Sequence, residues 1–121
     1  MITVERIRTS DGKRPRQPVT QDQLREMYVL QERVSAIFAE LGITKDVVVT
    51  DGLRPENADY GAKRSAHKEG KAVDIRDPGH ALALCMTNEI LRRHKLRRED
   101  TDATPGWLHL DTREPYGVFK P

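Results

Sequence analysis

The sequence predicts one α+β domain. One long stretch repeats apolar residues at helical spacing. Three short stretches, DVVVT, KAVDIRD and GWLHLDT, are β-branched or alternate apolar with polar residues. The length of 121 residues suits a single domain with a single core, spanning residues 1–121. Hydrophobic residues make up 36% and charged residues 33%, which implies a compact core and a well-solvated surface. The formal charge of +2 is too weak a bias to indicate a nucleic-acid partner, which calls for a domain-wide basic stripe. It also suits an anionic polymer such as bacterial cell wall.

Taken in order, Ile2, Val4 and Ile7 alternate weakly and predict a short edge strand. DGKRPRQPVT then completes a basic, proline-containing arm over residues 1–20, because Pro15 and Pro18 lack backbone donors and restrict their neighbours. Lys13, Arg14 and Arg16 read as a solvated loop, or as a contact for a polyanion. A helix is predicted from Asp22 to Leu41. Thr20 is its N-cap and Gln23 the return half of a capping box. Leu24, Met27, Val34, Ile37, Phe38 and Leu41 form its apolar face, and Gly42 stops it.

DVVVT, residues 46–50, predicts a buried strand ending at the turn DGLRP. Arg54 follows that strand end, either as a surface residue or as a substrate-binding group. Residues 55–66 form a polar loop of a length often associated with function. KAVDIRD then alternates: Ala72, Asp74 and Arg76 face one way, Val73 and Ile75 the other.

A second helix is predicted over residues 80–94, with Leu82, Cys85, Met86, Ile90 and Leu91 on one side. Asp77 or Gly79 would cap it, with Pro78 in its first turn. The lone cysteine, Cys85, excludes an internal disulfide and reads as a small buried hydrophobe. His80 reads as a surface residue, with support of a site residue from behind as the alternative, and His94 as a cation at the helix C-terminus and not a ligand. Residues 97–106 read as loop and the tail REPYGVFKP as irregular. GWLHLDT forms the last predicted strand, with Trp107, His109 and Asp111 on one face.

MITVERIRTS lacks the apolar core of a signal peptide, and no apolar run reaches membrane-spanning length, so no membrane segment is expected. Such a chain suits a phage lysis or virion protein; a fragment of a secreted bacterial protein would look similar.

His67, Asp74 and His109 are the candidate metal ligands. Two imidazoles and a carboxylate match a catalytic zinc site, which takes about three protein ligands and leaves a position for water. Asp74 and His109 each lie on an alternating strand opposite an apolar face.

SAHKEGKAVDI resembles the S-x-H-x-x-G-x-A-x-D signature of the zinc D-alanyl-D-alanine carboxypeptidase family, with Ser65, His67, Gly70, Ala72 and Asp74 in register. That family shares its fold with murein endopeptidases, phage endolysins and the hedgehog signalling domain. WLHLD is similar to its second motif, whose histidine is the third zinc ligand, and TDGLRP to an upstream segment whose arginine binds substrate. The resemblance covers residues 46–112. It implies a small, mostly antiparallel sheet with helices packed on one side, one Zn2+ held by His67, Asp74 and His109, and hydrolysis of peptide bonds in peptidoglycan. It also implies a substrate contact from Arg54; in a peptidase of this kind Ser65 is expected to hydrogen-bond near the metal or substrate, and Trp107 to wall the cleft or lie in the core.

One departure bears on catalysis. Many members carry an acid three residues before the last histidine, where this chain has Gly106. Other members show a histidine followed by x-Asp-Thr, as in HLDT here. Asp111 is therefore expected either to orient His109 or to act as the catalytic base, with Asp102 and Glu69 as looser candidates. A metal-binding module without hydrolytic activity is the alternative function.

Overall fold

A computed structural model describes residues 1–55 and 65–121. The order of elements is α1 (Val4–Thr9), α2 (Gln21–Glu40), β1 (Val49–Asp51), β2 (Ala72–Arg76), α3 (Ala81–Cys85), α4 (Asn88–Arg93), β3 (Arg97–Glu99), β4 (Trp107–Asp111) and β5 (Gly117–Phe119). Single 3-10 turns at Pro78–His80 and Thr101–Ala103 precede α3 and β4. The strands form a mixed sheet in the order β1-β2-β4-β3-β5. All its pairings are antiparallel except β3 with β5, which run parallel. Among the described residues, no helix is long and apolar enough to cross a membrane.

Helix α2 forms as its sequence dictates. The Thr20 hydroxyl accepts from Gln23 N, and the Gln23 side chain accepts from Thr20 N, each at 3.0 Å. Met27, Leu30, Val34 and Ile37 bury its apolar face. Gly42 follows at φ 68° and ends it. In the sheet, Val73, Ile75, Leu108 and Leu110 join these helix residues, with Leu82 and Leu91, in one core cluster. Asp74 and His109 alternate with those residues and therefore belong to the opposite face of the sheet.

Several expectations need correction. Residues 4–9 form a helix instead of an edge strand. Thr3 caps it by accepting from Arg6 N, and Val4 and Ile7, three apart, are both buried. Three apolar residues were too few to separate the two periods. The basic arm is solvated as expected at Lys13 and Arg16, which are exposed, but Arg14 Nη1 lies 2.6 Å from Asp51 Oδ1 and Arg16 pairs with Glu5 at 3.2 Å.

The strand near DVVVT is displaced to Val49–Asp51, and Val48 is 45% exposed. The second helix breaks at Met86–Thr87, because the Thr87 hydroxyl caps a fresh start by accepting from Ile90 N. Asp77 caps α3, accepting from Leu82 N and Ala83 N at 3.0 and 2.9 Å. The break ends the periodicity on which burial of Cys85 rested, and that residue is exposed. His80 is not a free surface residue: its Nε2 lies 2.8 Å from the Thr104 carbonyl.

Residues 97–99 and 117–119 are strands where loop and irregular tail were expected. β3 carries no apolar residue. Its core-facing position is Arg98, 8% exposed, which donates from Nε to the Met86 carbonyl at 3.0 Å. A buried arginine that satisfies a carbonyl leaves no hydrophobic trace in the sequence.

Helix α1 docks closely on the turn after β1. Leu53 N donates to the Ile7 carbonyl at 2.8 Å, and Gly52 N donates to Ser10 Oγ at 2.9 Å. A Cβ on Gly52 would stand 1.9 Å from the Ile7 oxygen, so the approach requires glycine. Gly52→Ala should destabilise the protein by about 1–3 kcal/mol or more through overpacking against backbone. Urea denaturation reads this directly, and an unchanged midpoint would refute the contact.

Candidate metal centre

The β2–β4 register sets Asp74 directly opposite His109. His67 comes from the turn that leads into β2. Its amide donates to Ser65 Oγ at 3.2 Å, and Gly70 closes the turn at φ 76°. A Cβ at Gly70 would come within 2.8 Å of the Gln23 carbonyl, so α2 presses against this turn and fixes its course.

A backbone carbonyl fixes one ring proton of His67, whereas His109 has a carboxylate on each ring nitrogen. His67 Nδ1 lies 2.9 Å from the Gly52 carbonyl, which can only accept, so Nδ1 carries a proton, and Nε2 faces Asp74 Oδ1 at 3.4 Å. His109 Nε2 lies 2.7 Å from Asp111 Oδ2, while its Nδ1 lies 2.9 Å from Asp74 Oδ1. The imidazoles meet edge to face with centroids 5.2 Å apart. Ligand atoms of His67, Asp74 and His109 all lie within 4.8 Å of one another, so this group could hold a metal ion. Each imidazole has its outward nitrogen on an acceptor and its inward nitrogen facing the shared carboxylate, an arrangement that suits a metal.

The charges are strongly coupled. Burial tends to lower the pKa of His109, but its hydrogen bonds to Asp111 and Asp74 outweigh this and raise it to about 9. Burial also works against ionisation of Asp74 and Asp111, yet both are held below the ordinary carboxylate value. His109 and His67 do this for Asp74, and His109 and Arg97 for Asp111.

Asp111 is fully buried. Its Oδ2 meets His109, and its Oδ1 accepts from Arg97 Nε at 2.6 Å and from Arg113 N at 2.9 Å. Both oxygens are thus engaged, with Oδ2 on the ring nitrogen that points away from Asp74. Of the two roles expected for Asp111, this geometry supports orienting His109 and gives no free oxygen for the role of base.

Arg54 lies beside the group. Its Nε and Nη2 donate to Asp51 Oδ2 at 3.2 and 2.6 Å, and its Nη1 is 3.4 Å from Ser65 Oγ. With Arg14 on the other oxygen of Asp51, Arg54 is held by a carboxylate that the sequence did not single out. Arg54, Ser65 and Trp107 line a cavity of about 300 Å3 that also contains His67, Asp74 and His109. Trp107 is half-buried on its wall, on the sheet face opposite the core cluster. Arg97, Glu99 and Phe119 complete that lining, and the Arg97 guanidinium stacks 3.9 Å over the Phe119 ring. These three lie on β3 and β5, which carried no strand signal, so sequence reasoning missed them.

The looser acid candidates lie elsewhere. Glu69 pairs with Arg113 and Lys71 at 3.0 and 3.2 Å, and Asp102 is exposed in the Thr101–Ala103 turn. His94, discounted as a ligand, lies 3.1 Å from Glu40. Most of the polar loop over 55–66 falls outside the described residues. Gly106 adopts φ 94°, a conformation that disfavours any side chain, which gives a backbone reason for the absence of an acid there.

In metal-free protein the raised pKa of His109 contributes stability that is fully present below its ordinary value of 6.5 and is lost as pH rises through about 9. Asp74 and Asp111 act in the opposite sense, adding stability above the ordinary carboxylate value of 3.8 that is lost as pH falls below it. Chelator-treated protein should therefore lose on the order of 1–3 kcal/mol between pH 6.5 and 9.5. Thermal melts of wild type and His109→Gln check this. An alkaline loss of equal size in the variant would show that His109 is not its source.

Comparison of the chain with family models, with curated proteins and with solved structures found no match.

Proposed function

We propose that this chain is a zinc-dependent metallopeptidase acting on peptide bonds of bacterial peptidoglycan, of carboxypeptidase or endopeptidase type. The observation that carries this reading is the convergence of His67 Nε2, Asp74 Oδ1 and His109 Nδ1, drawn from two segments, SAHKEGKAVDI and WLHLD, that resemble the two zinc-ligand motifs of the carboxypeptidase family. Two neutral imidazoles and one carboxylate suit zinc better than calcium or magnesium, which prefer all-oxygen sets. A bound ion of this kind supplies Lewis acidity, polarising a carbonyl and lowering the pKa of water.

The protein's own residues do the rest. Asp111 orients the His109 ring and keeps its proton on Nε2, so that Nδ1 is available as a ligand. The Gly52 carbonyl does the same for His67. Asp51 holds Arg54 at the cavity edge, where a planar two-pronged cation fits a substrate carboxylate. Trp107 and Phe119 give the cavity apolar walls against which a stem peptide would pack.

Purified protein should carry about one equivalent of zinc, the number a single three-ligand site holds. His67→Ala and Asp74→Ala should lose it. Wild type that binds no metal in elemental analysis and calorimetry would sink the reading. Asp111→Asn should keep the fold but weaken zinc binding by about 10- to 100-fold, as removal of an orienting carboxylate does. Affinity equal to wild type would remove Asp111 from that role.

Hydrolysis is tested by incubating zinc-loaded protein with purified murein and weighing the released peptides by mass spectrometry. Release of stem or cross-bridge peptides is expected. No cleavage over a broad panel would favour the second reading, a non-catalytic metal-binding module, whose specific support is Gly106 in the place of the usual acid.

A further inference from the structure

The proton-transfer group of the site is not where the sequence pattern looks for it, and β3 offers another. Arg97 pairs with Asp111 and Arg98 with Leu110. Continuing that antiparallel register by one residue sets Glu99 against His109. Alternation places Glu99 on the same sheet face as Arg97, and both line the cavity that contains His67, Asp74 and His109.

Three acids line this cavity among the described residues: Asp74, Asp111 and Glu99. Asp74 is the shared carboxylate between the two imidazoles. Asp111 has both oxygens engaged. Glu99 is half-buried, and among the described residues its carboxylate shows no hydrogen bond or ion pair. Nor does it belong to the group whose ligand atoms lie within 4.8 Å of one another, so its position is beside the metal ligands and not among them. A free carboxylate that lines the cavity outside the ligand set is suitably placed for acid–base work.

Resting on the hydrolytic reading above, we propose that Glu99 is the catalytic acid–base residue of this site. Its carboxylate takes a proton from water as the water oxygen forms a bond to the scissile carbonyl carbon. The C–N bond then breaks, and the same proton passes from Glu99 to the leaving amine nitrogen. Glu99 returns to its carboxylate form, one water is consumed, and the products are a carboxylic acid and an amine.

The test compares the zinc-loaded full chain with Glu99→Gln and Glu99→Asp. Glu99→Gln should hold zinc in the wild-type ratio, while its kcat on murein peptides falls about 10²- to 10⁴-fold with KM little changed. Glu99→Asp should recover part of the loss. A phosphinate analogue of the dipeptide, whose tetrahedral oxygens mimic the addition product, should bind Glu99→Gln about tenfold or more weakly than wild type by calorimetry.

Wild-type turnover in Glu99→Gln, or equal phosphinate affinity, overturns the assignment. Loss of zinc in Glu99→Gln overturns it as well, by making Glu99 a ligand. Zinc-loaded wild type that cleaves no murein peptide is a different failure: it removes the hydrolytic function, and the role of Glu99 falls with it.

Discussion

The antiparallel pairing of β2 with β4 places Asp74 across from His109, and the geometry of the site follows from that one register. Side chains on a strand alternate between faces, so a slip of one residue would bring Val73 or Ile75 to the cavity and drive Asp74 into the core. The opposite face prevents such a slip. Val73, Ile75, Leu108 and Leu110 are all 0 or 1% exposed and pack in the main apolar cluster. Removing even two such side chains from that cluster would cost several kcal/mol. Apolar packing on one side of the sheet thus sets the positions of titratable groups on the other.

Those groups would be costly to bury alone. They are arranged as two chains of alternating charge that converge on the candidate metal ligands. One runs from Arg97 through Asp111 and His109 to Asp74. The other runs from Arg14 through Asp51 to Arg54, which approaches Ser65 beside His67. Each carboxylate of these two chains has a cation or an imidazole within 3 Å, so removing one member leaves its neighbour uncompensated. Such mutual pairing restrains every member of each chain.

Legibility in the sequence divided along physical lines. The α2 helix was readable because its capping box and apolar stripe are local patterns. Strands β2 and β4 were readable because one face of each is apolar, and that alternation also put His109 and Asp111 on one side. The α+β character followed from these elements. What was hidden depends on partners far away in the chain. β3 carries Arg-Arg-Glu, its inward residue being an arginine hydrogen-bonded to a backbone carbonyl, so it has no apolar signature. β5 is a strand because β3 is beside it. Arg14 reads in the sequence as one member of a basic arm, and its partner Asp51 lies 37 positions on. Arg97, Glu99 and Phe119 entered the site only through these unreadable strands.

The contact between α1 and the turn after β1 has a thermodynamic consequence. Ile7 and Ser10 fix the backbone of Gly52 and Leu53, and the Gly52 carbonyl fixes the ring of His67. Docking of the first ten residues and ligation at His67 therefore share one free-energy cycle. A ligand that prefers this imidazole orientation must hold the N-terminal helix in place with the same coupling energy by which the docked helix favours the ligand. The segment of the chain most remote in sequence from the candidate metal ligands would, by this reciprocity, be energetically coupled to any ion they hold.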